Sequence, residues 1–393
     1  MCTNLLLSVP KVPGDTSPGK VHASARCLEL AGALATSIYV VPRSQSFPLV
    51  DSPATNPCTW SNSFGFVGVG PEPGSFKEVP CFMDGLNEKG LSAAALWLPG
   101  TAYPLSGGPS NNVWFTDLVA WILGNFATVS DLKANLQAGA INVMGPATPQ
   151  GPPSNGPIQP SEDVYLPLHY IATDATGASV VIEFIDGAMN VYDSSDGVLT
   201  NAPPYPWQLA NLALYPHLDV AGAQTAIVSD GPPVGSGLVG MPGDPMSSSR
   251  FVRAATWVKG MNRLPKDGNG WLPAPGGATG GADPVQTVVN VAMQLVQVVM
   301  ATPYGTLLAP SASAPGQLSV GDYTMWSLVR DHTHQVLYFT AAFNGILRSI
   351  NVNAALSENP GAKFPNLPSI ALPPVSDPTR WHEDVTKQLS QPA

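Results

Sequence analysis

The chain opens on short apolar or alternating runs, Thr3–Ser8, His22–Leu30, Ser37–Val41, Phe64–Val69 and Leu91–Leu98, broken by Gly, Pro and Asn. Runs of that length between turn-forming residues predict β-strands. The pattern then lengthens: Trp114–Phe126 carries an apolar face through Leu118, Trp121, Ile122 and Phe126, which predicts a helix. Thr128-x-x-Asp131 has the form of a capping box and predicts a second helix through Gln137. Strands resume at Tyr165–Thr173, Ser179–Phe184 and Met189–Tyr192, with Asp174–Gly177 and Asp186-Gly187 as hairpin turns. Further helices are predicted over Pro206–Leu214, Ser248–Met261 and Val285–Met300. The last reads as apolar all round, which predicts burial between two layers. Tyr323–Arg330, Gln335–Ala342 and Leu347–Val352 form a closing meander. Strands, then helices, then strands and helices again predict one layered α+β domain and not a βαβ wind.

Two stretches dense in Pro and Gly, Gly145–Ser161 and Pro265–Asp283, read as loops inserted into that domain, and the tail from Pro360 reads as Pro-rich and surface-wrapping. The expected organisation is a single domain over residues 2–355 with insertions near 145–161 and 265–283, followed by a Pro-rich tail over 356–393. Charged residues make up 11% and hydrophobic ones 44%, so a large core is available and global disorder is not expected. The balance of 17 basic to 27 acidic residues, a formal charge of −10, leaves no Lys/Arg cluster for nucleic acid. Leu5-Leu6-Leu7 is too short for the apolar core of an export signal, and no run approaches the ~18 residues of a membrane span. As written, the chain reads as soluble and cytoplasmic; an extracytoplasmic location follows if Met1 replaces a removed export signal.

Several chemical motifs fail on context. The 4 cysteines, Cys2, Cys27, Cys58 and Cys81, lack the paired short spacing of a zinc or redox site. Cys58 and Cys81 flank a strand-like stretch and could pair in an oxidising compartment; two buried thiols are the simpler reading. Gly235-Ser236-Gly237-Leu238-Val239-Gly240 has the dinucleotide glycine spacing, but Pro242 and Gly243 deny it a helix N-terminus, so it reads as a turn. His332-x-His334 sits between two strands with no third ligand nearby and reads as a hairpin tip. There is no G-x-S-x-G, Walker A or H-E-x-x-H pattern. No metal and no cofactor is called for.

What remains is a set of polar residues in apolar surroundings. Cys2 follows Met1 directly; loss of the methionine would place a thiol and a free α-amine, its own base, on one residue. Alone, a second-position cysteine reads equally as the start of a first strand. Arg26, in Ala25-Arg26-Cys27-Leu28-Glu29, puts a charge inside a strand, sharing a face with Leu28 while Cys27 and Glu29 share the other. Asp84-Gly85-Leu86-Asn87-Glu88-Lys89-Gly90-Leu91 reads as a tight turn feeding the run that ends at Trp97. Gly197-Val198-Leu199-Thr200-Asn201-Ala202-Pro203 ends a strand in a polar amide. Gly237-Leu238-Val239-Gly240-Met241-Pro242-Gly243-Asp244 precedes Ser249-Arg250-Phe251 at a helix start.

These stretches, in this order and spacing, resemble the choloylglycine hydrolase family of conjugated bile salt hydrolases and penicillin V acylases, from residue 2 to about 352. With Asp322-Tyr323-Thr324 near the end, they match that family's Cys-Thr start, its Arg with a carboxylate three residues on, and its Asn-Glu-Lys-Gly-Leu, Thr-Asn-x-Pro and Pro-Gly-Asp motifs. The resemblance implies a four-layer αββα sandwich of N-terminal-nucleophile hydrolase type, and a homo-oligomer, a tetramer. It implies a hydrolase of carbon–nitrogen bonds other than peptide bonds, in linear amides, acting on a small-molecule N-acyl amide. By the same resemblance, Cys2, Arg26, Glu29, Asn201 and Arg250 are catalytic, and Asn201 with the backbone N–H of Trp97 forms the oxyanion hole. Two guanidinium groups beside Cys2 would favour a thiolate. The chain has Glu29 where the best-known members carry Asp, and Trp97 where bile salt hydrolases carry Asn and many penicillin acylases Tyr. An indole suits a flat or apolar acyl group, so Trp97 reads as substrate-binding and points toward phenoxyacetyl or fatty-acyl amides, N-acyl homoserine lactones included. The alternatives are a conjugated bile salt hydrolase, a catalytically degenerate binding protein, and acyl transfer to an amine instead of water.

Overall fold

Two antiparallel sheets lie face to face, and each carries helices on its outer side. The computed structural model describes residues 1–10, 19–31, 34–72, 81–147, 165–220, 237–262, 284–300, 302–311, 314 and 316–372. The 265–283 insertion, all but the first residues of the 145–161 insertion, and the tail beyond residue 372 lie outside the described residues. The first sheet has 5 strands in the spatial order Cys2–Pro10, Lys20–Leu30, Tyr323–Asp331, Val336–Ala341 and Asn344–Asn351. The second has 8, in the order Ala188–Asp193, Ser179–Ile185, Leu168–Thr173, Ser92–Trp97, Asp84–Asn87, Phe66–Pro71, Thr36–Val41 and Ser369–Leu372. Ser369–Leu372, from the Pro-rich end of the chain, pairs antiparallel with Thr36–Val41.

Register decides which residues meet between the sheets. Cys2 stands opposite Leu28 and Asn4 opposite Arg26, while Arg26 stands opposite Leu328 and Ser24 opposite Arg330. Residues directly opposite in a ladder share a face. Cys2, Asn4, Ser24, Arg26 and Arg330 therefore all point at the second sheet. Thr3, Cys27 and Glu29 point the other way, toward the Ser247–Asn262 and Pro284–Met300 helices. One apolar core, including Leu5, Leu7, Ala25, Val67, Leu96, Val258 and Val296, fills both sides of the first sheet. A second core, including Phe66, Ala93, Tyr170, Leu118 and Leu132, lies between the second sheet and the Leu118–Asn125 and Val129–Gln137 helices. The result is the expected αββα layering.

Thr128 caps the Val129–Gln137 helix by accepting from the Asp131 N–H at 3.1 Å, as the capping pattern predicts. Three expectations need correction. Asp84–Asn87 is a strand buried throughout, and only Glu88–Gly90 turns. The predicted Trp114–Phe126 helix begins late, because Trp114 ends a short strand and Phe115–Asp117 forms a 3-10 turn before Leu118. The Pro284–Met300 helix is not buried all round: Val288, Val289, Ala292, Val296 and Val299 face the core, while Gln286, Asn290, Gln294 and Gln297 face outward. Cys58 and Cys81 remain thiols; Cys81 Sγ donates to the Thr116 carbonyl at 3.7 Å.

Candidate active site

Cys2 begins the first strand, and its side chain points into the space between the sheets, where it is 2% exposed. Three expected site residues converge on it from three separate elements. Arg26, from the neighbouring strand, brings Nη2 to 3.7 Å from Cys2 Sγ. Asn201 accepts the Cys2 backbone N–H on Oδ1 at 2.7 Å. Arg250, in the first turn of the Ser247–Asn262 helix, donates through Nη1 to the Cys2 carbonyl and to Thr3 Oγ1. Its Nη2 donates to Asn201 Oδ1 at 2.7 Å, and its Nε to the Pro245 carbonyl at 2.9 Å.

Asn201 reaches this position because Gly197–Pro203 lies alongside the first strand. Asn4 N–H donates to the Leu199 carbonyl at 2.7 Å, and Leu199 N–H returns to the Asn4 carbonyl at 3.1 Å. Gly197 opens the segment at φ +58°, and a Cβ there would sit 2.5 Å from Leu6 Cβ; only glycine permits this approach. The Asn201 amide has one orientation, since Oδ1 takes two donors, Cys2 N–H and Arg250. Nδ2 is thereby turned toward Trp97, donating to its carbonyl at 2.7 Å, and keeps a second N–H on the same nitrogen. Asn201 thus meets the Trp97 backbone at its carbonyl, not at the N–H expected to donate to an oxyanion. Trp97 ends its strand half-buried.

Arg26 is fully buried, and burial works against its charge; the Coulomb attraction of Cys2 and Asp84 outweighs that and raises its pKa above the ordinary value. Its Nη1 donates to Asp84 Oδ2 and to the Met83 carbonyl, both at 2.8 Å, and its Nη2 to the Ala95 carbonyl at 2.5 Å. The guanidinium also stands 5.1 Å from the centroid of Trp326. Glu29 faces the helical side, also buried. Its Oε1 accepts from Thr324 Oγ1 at 3.1 Å, and its Oε2 has no hydrogen-bond partner among the described residues. Burial pushes its carboxyl up, against the downward pull of the N-terminal ammonium and Arg250. That ammonium belongs to Met1, which hydrogen-bonds the Glu29 carbonyl and Asp322 Oδ2, the latter at 3.1 Å. While Met1 is attached, the nitrogen of Cys2 is a peptide N–H.

Sequence reasoning missed the supports. Ser247 Oγ accepts the Asn201 N–H at 2.8 Å, and Gln208 Nε2 donates to the Asn201 carbonyl at 3.3 Å. Beneath them a buried pair, His169 Nδ1 to Glu183 Oε1 at 2.9 Å, steadies the turn. His169 Nε2 lies 3.0 Å from the Thr200 carbonyl, and Glu183 accepts the Tyr205 N–H. The only local signal was a carboxylate inside Ser179-Val180-Val181-Ile182-Glu183-Phe184, which is costly unless paired. Among the described residues no group of His, Cys, Asp and Glu is arranged to hold a metal ion, and no helix is long and apolar enough to cross a membrane.

Known proteins resemble the chain across these elements. The bile salt hydrolase/transferase of Clostridium perfringens is 30% identical over 281 residues, which is 68% of this chain and 74% of that protein. The penicillin V acylase of Pectobacterium atrosepticum is 27% identical over 243 residues, 61% of this chain and 56% of that protein. The crystal structure of a variant conjugated bile acid hydrolase from Clostridium perfringens shares the fold, with a TM-score of 0.68, 23% identity, and coverage of 94% of this chain and 96% of that one. The family model described as linear amide C–N hydrolases, choloylglycine hydrolase family, matches residues 15–270. With that match over more than half its length, the chain belongs to the choloylglycine hydrolase family of linear amide C–N hydrolases.

Proposed function

We propose that Cys2, once Met1 is removed, is the nucleophile of an N-acyl amide hydrolase that works through an acyl-thioester. The contact that carries this reading is Arg26 Nη2 at 3.7 Å from Cys2 Sγ, a buried guanidinium aimed at a buried sulfur. The freed α-amine takes the thiol proton as sulfur attacks the amide carbonyl. The oxyanion of the tetrahedral intermediate is met by the remaining N–H of Asn201 Nδ2 and by the backbone N–H of Trp97. Collapse breaks the C–N bond, and the amine passes its proton to the departing nitrogen. Water, activated by the same amine, then hydrolyses the thioester and returns the thiol. Arg26 balances negative charge on the sulfur, Arg250 holds Asn201, and the buried carboxylate of Glu29 acts on the new ammonium through its charge.

The half-buried indole of Trp97 beside Asn201 supports an apolar or flat acyl group, as in phenoxyacetyl amides such as penicillin V or fatty-acyl homoserine lactones. The identity to a bile salt hydrolase/transferase supports conjugated bile salts as the second reading. Intact-mass measurement is expected to find the chain without Met1. A panel of penicillin V, N-acyl homoserine lactones and glycine- and taurine-conjugated bile salts, with and without an added amine acceptor, identifies the substrate and the acceptor. Cys2→Ala is expected to lose all turnover; retention of turnover would overturn the assignment.

A further inference from the structure

Behind Arg26 lies a buried network that no step of the proposed chemistry touches directly. The Asp84 carboxylate that receives Arg26 Nη1 at 2.8 Å also receives Arg330, through Nε on Oδ1 at 2.7 Å and through Nη2 on Oδ2. Arg330 Nη1 donates onward to Asn4 Oδ1 and Ser24 Oγ, both at 2.9 Å. Ser24 Oγ meets His332 Nε2 at 2.8 Å, and His332 Nδ1–H donates to the Gly90 carbonyl at 2.9 Å. Arg26, Asp84, Arg330, Asn4, Ser24 and His332 are all at most 1% exposed.

Two guanidinium groups share one carboxylate here, so this interior carries one positive charge in excess. Unbalanced charge is costly away from water, and it favours a negative group nearby. At the far end of Arg26 the group within reach is the Cys2 sulfur. We propose that Arg330 is a positioning residue that acts through Asp84: it fixes Arg26 against Cys2 and leaves Arg26 an unneutralised charge for the ionised sulfur to balance. The proposal rests on Cys2 being the nucleophile. Without Arg330, Arg26 and Asp84 cancel, and the sulfur anion gains little from the pair.

The other charged groups around Cys2 stay in place in such a variant. Arg250 and Glu29 face it from the helical side, the amino group near Glu29 and Asp322 is that of Met1 and leaves with it, and the Cys27 thiol sits on the opposite face of the ladder. Asp331 is held by His334 and by the turn that follows it.

The test is the pH profile of iodoacetamide alkylation in the protein lacking Met1, quantified on the N-terminal peptide so that Cys27, Cys58 and Cys81 do not contribute. The midpoint reports the coupled thiol and amine of Cys2. Arg330→Met is expected to move it up by about one pH unit. Arg330→Lys keeps the charge and is expected to stay close to the unmodified protein. Adding Asp84→Asn to Arg330→Met leaves Arg26 unneutralised again and is expected to bring the midpoint back down. An unmoved profile in folded Arg330→Met overturns the proposal. So does a double variant displaced further up than the single one, or an Arg330→Lys profile displaced by a full unit, which decides the matter if Arg330→Met does not fold. Turnover surviving in Cys2→Ala is a separate result: it removes the nucleophile, while the alkylation profile still reports on Arg330.

Discussion

Acidification is expected to destabilise this fold, and His332 is the side chain through which the effect is best measured. Its imidazole is buried where burial, and after it the neighbouring positive charges of Arg330 and His22, resist protonation; the Gly90 carbonyl and Asp174 only partly offset them, and the pKa is pushed down to about 3. In the unfolded chain the same ring titrates near 6.5. Below about pH 6.5 the unfolded chain therefore binds a proton that the folded chain refuses. Stability falls as the pH drops, until the folded form also protonates near pH 3. At about 1.4 kcal/mol per pH unit, the loss attributable to His332 is about 2 kcal/mol at pH 5 and about 4 kcal/mol at pH 3, where the folded form is already half protonated. Urea unfolding followed by tryptophan fluorescence, from pH 7.5 to 4.5, measures it when set against His332→Gln, which cannot titrate. His22, whose pKa burial also lowers, titrates in both proteins, so the difference reports His332 together with its coupling to His22. The gap between the two stabilities should change by about 2 kcal/mol from pH 7 to pH 5, at the expense of the unmodified protein. Parallel curves across that range would refute the reasoning.

Two further outcomes test the local geometry. Gly90 adopts φ +83°, and a Cβ there would lie 2.1 Å from the His332 carbonyl oxygen. Gly90→Ala is therefore expected to destabilise the fold by about 1–3 kcal/mol or more, read as a lowered melting temperature, because the strained backbone and the clash act together. Asn201→Ala should lower kcat by about 10²–10³ with a smaller effect on KM, as expected when an oxyanion donor is lost, and steady-state kinetics on the substrate found in the panel checks this.

The strands of both sheets were legible because their apolar runs are short and bounded by turn formers. Lys20–Leu30, buried over nearly its whole length, still showed its two faces through Arg26 and Glu29. In sequence, Asp84–Leu91 reads as a turn because Asp, Gly and Asn are poor strand formers. What makes Asp84–Asn87 a strand is tertiary: Asp84 is held by two arginines, and Asn87 Nδ2 bonds the Leu123 and Phe126 carbonyls. Val285–Met300 reads as apolar on every side because its valines obscure an outward stripe, Gln286, Asn290 and Gln294, that recurs every fourth residue. The Cys2, Arg26, Asn201 and Arg250 cluster came from motif order. The residues behind it did not, because Arg330 and Asp84 are 246 positions apart and meet only through sheet register. No local pattern announces such a pair.

Arg26 belongs to the first sheet, yet three of its hydrogen bonds end on the second, at Asp84 and at the carbonyls of Met83 and Ala95. The environment of Cys2 therefore exists only after the two halves of the sandwich have closed. A chain that is still collapsing, or one that has partly come apart, carries an ordinary cysteine near its start with no guanidinium beside it. On the proposed function, reactivity at that thiol would then be in effect a certificate of completed assembly.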